Sequence, residues 1–309
     1  MQRRTHLSLD PAFRWLTLTG GLLVLTLVAA IFATLLHGSL PALKQFGFGF
    51  LLSQDWNPVT EQYGALSSIY GTLASTFIAM LIAVPMSLVI ALFLVELAPP
   101  QVSRIVGGAI ELLAAIPSII YGMWGLFVFA PFMADHIQPL LSRLSPGLPF
   151  FTGPPMGIGL LSAGIILALM ILPFITSVTR DVFAMVPAVV KESAYGMGST
   201  TWEVMRKVTL PYGIQGVVGA CFLGLGRAIG ETMAVTFVIG NRHEISASLF
   251  AAANSIASTL ANEFTEADSD LYLAALVELG LVLFGVTVLL QIAAQWWLRR
   301  TAKRMGAGR

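Results

Sequence analysis

Between Gly224 and Val235 the chain reads GLGRAIGETMAV, which sets Arg227 and Glu231 four residues apart inside an apolar run. Insertion scales put an Arg at a bilayer centre at about +2.5–3.5 kcal/mol, so such a charge normally faces a protein interior or a water-filled cavity. Three uses compete. The two charges can form an i,i+4 ion pair, a weak stabiliser for which Arg before Glu is the poorer order. They can lock this chain to a second membrane subunit. They can line a substrate path, the reading we favour. Gly226 and Gly230 form a GxxxG packing pair. Each charge follows one of these glycines by one residue, about 100° of rotation. The glycines then press on a neighbouring helix while the charges look into the space beside it.

Other chemistry is sparse. The same stretch superficially suggests a phosphate-cradling loop, but Leu225 stands where the first glycine belongs and Glu231 replaces the lysine. A dinucleotide fingerprint fails too, since no strand precedes it. Glu111 and Glu278 lie near or in apolar segments and can pair within a larger assembly. His6, His37, His136 and His243 have no ligand spacing, so no metal site is expected. The single cysteine, Cys221, reads as a small packing residue. No nucleophile–base pair stands out, so no catalytic residue is assigned. A net charge of +1 gives no reason to expect a nucleic-acid partner.

These residues must be positioned by membrane helices. The chain has 309 residues, 56% hydrophobic and only 11% charged, against roughly 25% charged in soluble domains. Charge-free gaps separate Arg14 from Lys44, Glu61 from Glu96, Arg143 from Arg180 and Lys207 from Arg227. Each holds the ~20 residues a helix needs to cross a ~30 Å hydrocarbon core. Period-2 alternation is absent, so the spans are helical. We expect an all-α polytopic membrane protein with six spans, at about 13–36, 65–94, 106–130, 156–177, 212–240 and 272–297. Pro85, Pro117 and Pro173 fall inside spans and predict kinks. IPSIIYGMWG, Ile116 to Gly125, adds Ser, Tyr and two Gly to one of them. Residues 245–262 are uncharged but rich in Ala, Ser and Asn, and predict a helix at or dipping into the outer surface rather than a seventh span.

With a cytoplasmic N-terminus (1–12), 13 of the 17 Lys and Arg face the cytoplasm, including the tail 298–309. Trp296 and Trp297 beside Arg299 and Arg300 read as an anchor at that interface. Residues 13–64 hold the first span and an outer loop, and 65–297 the core. The core's inner loop, 179–211, is longer than a connector needs. Pro187 opens a short helix, Gly196 and Gly198 end it, and Thr200 with Glu203 forms a capping box that starts the next helix. This predicts a docking element for a cytoplasmic partner.

The loop resembles that of ATP-binding-cassette importer permeases, whose pattern is EAA, three residues, Gly, nine residues, then Ile-x-Leu-Pro. Here Glu192-Ser193-Ala194 is followed by Gly198 and then by Val208-Thr209-Leu210-Pro211 at the same spacings. Ser193 and Val208 are the departures, both small in volume. YGALSSIYGTL at 63–73, ELLAAIPSIIYGMWG at 111–125, KESAYGMGSTTWEV at 191–204, LGLGRAIGETMAV at 223–235 and LANEFTEADS at 260–269 look like the C-type permease of phosphate-specific importers. The resemblance runs from about residue 40 to 297. It implies a type I importer permease fold and an ATPase-coupling role for Glu192, Ser193, Ala194, Gly198, Leu210 and Pro211. It further implies a heterodimer with an A-type permease, an ATPase dimer that binds ATP and Mg, and an extracytoplasmic phosphate-binding protein. Arg227 and Glu231 would then line the phosphate path: guanidinium offers forked donors, and Glu231 can accept from a protonated phosphate oxygen. Another oxyanion (molybdate, sulfate) and a proton- or ion-coupled carrier are the alternatives.

Overall fold

The computed structural model describes residues 10–144 and 147–304. The outermost residues of both expected cytoplasmic termini, 1–9 and 305–309, therefore lie outside the described residues. Within them the protein is all-α, with only two isolated bridges, Asn57 to Gln62 and Gly240 to Ala253. Helix α1 is Asp10–Phe46, α2 Gly49–Leu52, α3 Leu66–Leu97, α4 Pro100–Ala114 and α5 Ser118–Leu144. Then follow α6 Leu160–Ala184, α7 Ala188–Gly196, α8 Thr201–Ile229, α9 Met233–Ile239, α10 Ile256–Glu263 and α11 Asp270–Arg304. Six of these, α1, α3, α5, α6, α8 and α11, are long and apolar enough to cross a membrane.

The count of six matches the expectation, but several bounds do not. The expected 106–130 span divides. Pro117 sits between helices at φ −57° and ψ 138°, ending the α4 region and opening α5. Pro117 breaks the chain direction instead of kinking one helix, and the apolar span begins only at Ser118. Pro85 and Pro173 remain inside continuous helices, as expected.

Four wide π turns have a common local cause. They cover Phe93–Leu97, Gly125–Phe129, Met133–Ile137 and Met205–Thr209. Each is followed two residues later by a proline: Pro99, Pro131, Pro139 and Pro211. A proline cannot donate to the carbonyl four residues back, and its ring crowds that carbonyl. Widening the preceding turn relieves the conflict; α5 and α8 then run on through their prolines, whereas α3 ends at Leu97.

Helix α6 is the centre of the bundle. Ala163, Ile166, Leu167, Ile171 and Ile175 are buried, packed between α3, α8 and α9. Helix α3 meets it through small residues, Ser75, Ala79, Ala83 and Ser87, at four-residue spacing. Such residues let membrane helices approach closely. The Ser87 hydroxyl donates across the contact to the Leu172 carbonyl at 3.0 Å. By contrast α1 packs chiefly on α11 and leaves Leu16, Leu23, Leu25 and Ile31 exposed, as a lipid-facing helix should.

Residues 245–262 do not form the expected surface helix. The chain is irregular until Ser255, and only α10 is helical. Phe250, Ala253, Asn254, Ile256 and Ala257 are buried. Gly71 on α3 has no room for a Cβ, which would collide with the Asn254 carbonyl oxygen. Thr72 Oγ1 accepts from the Ile256 backbone N–H at 2.9 Å, and Ser68 and Thr259 hydroxyls pair at 3.1 Å. Irregular backbone is tolerated at such depth because protein groups, not lipid, satisfy it.

Candidate functional site: a broken fifth span and its coupling loop

The structure changes the setting of Arg227 and Glu231. The expected continuous span 212–240 is interrupted: α8 ends at Ile229, Gly230 is its C-cap, and α9 begins at Met233. Arg227 lies in the last turn of α8 and Glu231 in the break. They do not face each other as an i,i+4 pair, and no ion pair joins them among the described residues. Glu231 Oε1 instead accepts from the Ala234 backbone N–H at 3.2 Å, capping the start of α9. The exposed Arg227 guanidinium sits 6.0 Å from the centroid of the Phe174 ring. A cation in the last turn of a helix is favoured by the helix dipole.

The break has a tertiary origin as well as a glycine. Helix α9 packs on α5 where IPSIIYGMWG supplies Gly122 and Gly125. A Cβ at Gly122 would lie 2.7 Å from the Phe237 ring and 2.9 Å from the Met233 carbonyl. One at Gly125 would lie 2.9 Å from Val238. Burial of Ala234, Val235, Val238 and Ile239 against α5 and α6 sets the direction of α9. The expected GxxxG face is only half present. Gly226 faces Gln291 of α11, whose Nε2 would lie 2.9 Å from an added Cβ, while Gly230 meets no neighbouring helix within 4 Å.

Glu111 is not a partner of Arg227. It pairs with Arg180 at 2.6 Å, and Arg180 also reaches Asp181 at 3.1 Å. Gly107 makes room for this guanidinium, which would collide with a Cβ there.

The loop forms as its residues predict. Helix α7 follows Pro187 directly. Gly198 adopts φ +86°, a left-handed conformation that costs glycine little. The Ser199 N–H closes the α7 end onto the Ala194 carbonyl at 3.1 Å. Thr200 and Glu203 form the reciprocal capping box that starts α8. Ala194 is buried, while Glu192, Ser193 and Gly198 are exposed beside Val189, Met197 and Trp202. Leu210 and Pro211 lie just past the π turn of α8.

One residue that sequence reasoning missed, Glu96, ties this loop to the bundle. Lys191 on α7 reaches Glu96 Oε1 at 2.6 Å, and the Thr209 hydroxyl donates to the same oxygen at 2.8 Å. The Glu96 side chain is only 6% exposed. Its one signal in the sequence is a lone carboxylate at the end of an otherwise apolar span. At the opposite end of the bundle a second cluster forms around Glu263. It accepts from Tyr272 at 2.8 Å and from the Trp56 indole, and contacts His243 at 3.1 Å. Burial pulls the Glu263 carboxyl up, but these hydrogen bonds outweigh it and hold the carboxyl below its usual range.

Residues 63–305 match the family model of the binding-protein-dependent transport system inner membrane component. A phosphate transport system permease protein PstC of Mesorhizobium japonicum is 56% identical, covering 96% of this chain and 92% of that relative. The PstC protein of Pasteurella multocida is 54% identical over 98% of this chain and 96% of its own length. Among solved structures, a bacterial alginate ABC transporter superposes with TM-score 0.62 at 19% identity, over 96% of this chain and 98% of that one. A chain of the inward-facing MetNI methionine ABC transporter gives TM-score 0.58 at 19% identity, over 75% and 94%. At that identity these two show the fold alone. The chain belongs to the binding-protein-dependent transport system inner membrane component family and, within it, to the PstC-type permeases, and is a multi-pass inner membrane protein.

Proposed function

We propose that this chain is a transmembrane permease subunit of an ATP-driven inorganic phosphate importer, forming half of an alternating-access pathway. The observation that carries the reading is PstC-type identity above 50% over nearly the whole chain. The site geometry is in keeping with it. Arg227 is exposed beside a helix break, free of an ion pair with Glu231, so its forked donors can meet a phosphate oxygen. Glu231, anchored by one oxygen to the α9 backbone, keeps acceptor capacity for a protonated phosphate. A carboxylate nearby also limits how tightly an anion is held, and a conduit must release its cargo.

In this reading the loop 179–211 is cytoplasmic, as are both termini. Glu192, Ser193, Ala194 and Gly198, with Leu210 and Pro211 behind them, meet an ATPase dimer that binds ATP and Mg. The chain itself is non-catalytic. A second, A-type permease completes the pathway and an extracytoplasmic binding protein delivers phosphate. The exposed apolar side chains Val189, Met197 and Trp202 around α7 suit a protein partner better than water.

The test is labelled phosphate uptake into vesicles holding this chain with its copurifying subunits. Uptake should need ATP and a binding protein, and arsenate should compete where sulfate does not. ATP-independent uptake by this chain alone would support the carrier alternative and overturn the proposal.

A further inference from the structure

A cavity of about 530 Å³ lies between α1, α2, α3 and α11. Along α11 it is lined by Leu281, Val282, Gly285, Val286 and Leu289, and at its head by Glu278. This spacing of three and four residues is one helix face. From Glu278 to Leu289 the groove runs eleven residues, about 16 Å of helix. Its wall is apolar throughout except at Glu278.

Glu278 is 3% exposed, and its Oε2 has no hydrogen-bond partner. No ion pair among the described residues includes it. A buried carboxyl without a partner is costly, and such groups are normally paired. Its level in the fold is informative. Gly47, which ends α1 at φ +53°, and Ile69, in the first turn of α3, line the same cavity. The carboxyl itself lies about two turns lower, since its neighbour Val277 faces Gly38, eight residues before the end of α1. The rest of the groove descends along the span. Gly285 holds its middle open: a Cβ there would meet nothing within 4 Å. The rim residues Phe48 and Leu289 are 88% and 68% exposed, so the groove opens towards lipid.

We propose that this groove binds a membrane amphiphile with a primary ammonium head, the ammonium on Glu278 and an acyl chain along Val282, Gly285 and Leu289. The ammonium supplies the missing donors and countercharge, and the chain fills apolar space. The volume lies within the 300–1,000 Å³ typical of small-ligand pockets. The inference is independent of the transported substrate.

The test uses the full chain with its copurifying subunits in nanodiscs of equal parts phosphatidylethanolamine, phosphatidylcholine and phosphatidylglycerol, with retained lipid read by native mass spectrometry. Phosphatidylethanolamine should be enriched about tenfold over phosphatidylcholine, whose head has no N–H to donate. Glu278→Gln, nearly isosteric, should bring that ratio near unity while lipid is still retained. Gly285→Leu should remove retained lipid of every head type. Equal retention of all three lipids by the parent chain, or unchanged enrichment in Glu278→Gln, overturns the proposal. So does a photo-crosslinker at Leu281 that captures a protein chain instead of lipid.

Discussion

Lys191 Nζ stands 2.6 Å from Glu96 Oε1, joining the middle of α7 to the end of α3. Because Thr209 donates to the same oxygen, one carboxylate gathers α3, α7 and the π turn of α8. A single, largely buried group thus links α7 to two spans.

Removing one member should loosen that joint. Glu96→Ala leaves the partly buried Lys191 without a countercharge, a change that should cost about 1–3 kcal/mol, less than the loss of a partner from a fully buried pair. The expected outcome is faster amide exchange over 188–196 and ATP hydrolysis by the assembled complex that no longer drives uptake. Lys191→Arg, which keeps the charge, should retain most uptake. Unchanged exchange and full coupling in Glu96→Ala would mean that α7 is held by other contacts.

Arg227→Ala should lower phosphate uptake at least tenfold at normal expression, by loss of a charge-assisted forked contact. Arg227→Lys should fall between, since a point charge does not replace a planar fork. Glu231→Gln should cost less, because an amide oxygen can still accept from the Ala234 N–H. Normal uptake by the Arg227→Ala, Glu231→Gln double variant excludes the pathway role.

The Glu263 cluster predicts a pH dependence. A carboxyl held below its usual range contributes stability that is fully present above the unfolded value of about 4.3. That contribution is lost as pH falls through the lower folded value. Thermal melting of the purified complex should therefore worsen on acidification below about pH 4.3 more steeply than in Glu263→Gln. At neutral pH the Gln variant should already be less stable by about 1–3 kcal/mol, the penalty for leaving buried donors poorly met. Parallel melting curves for the two proteins would rule this role out.

Gly71 is a packing requirement. Gly71→Ala should destabilise by about 1–3 kcal/mol, because the added Cβ forces α3 away from the Asn254 backbone. Gly20→Ala, in open space on α1, should be neutral or slightly stabilising. Comparable expression and melting of both variants would refute the close approach.

The sequence alone determined the class, because a chain with charge-free runs of membrane length has few other ways to satisfy its backbone. It also determined the loop. Pro187, Gly198 and the Thr200–Glu203 box act through bonds to near neighbours, so each can be read locally. Only the tertiary structure decided the rest. Whether Pro117 kinks a helix or separates two depended on where α4 and α5 find partners. The break after Ile229 depended on Gly122 and Gly125 receiving α9, more than a hundred residues away in sequence. Residues 245–262 look like an interfacial segment by composition, yet α3 supplies the hydroxyls and the glycine that let much of this segment lie buried. Glu96 and Glu278 look alike in sequence, each a lone carboxylate in an apolar helix. Folding brings Lys191 to one and leaves the other without a partner among the described residues at the head of an apolar groove, because helix packing, not local spacing, chooses the neighbours.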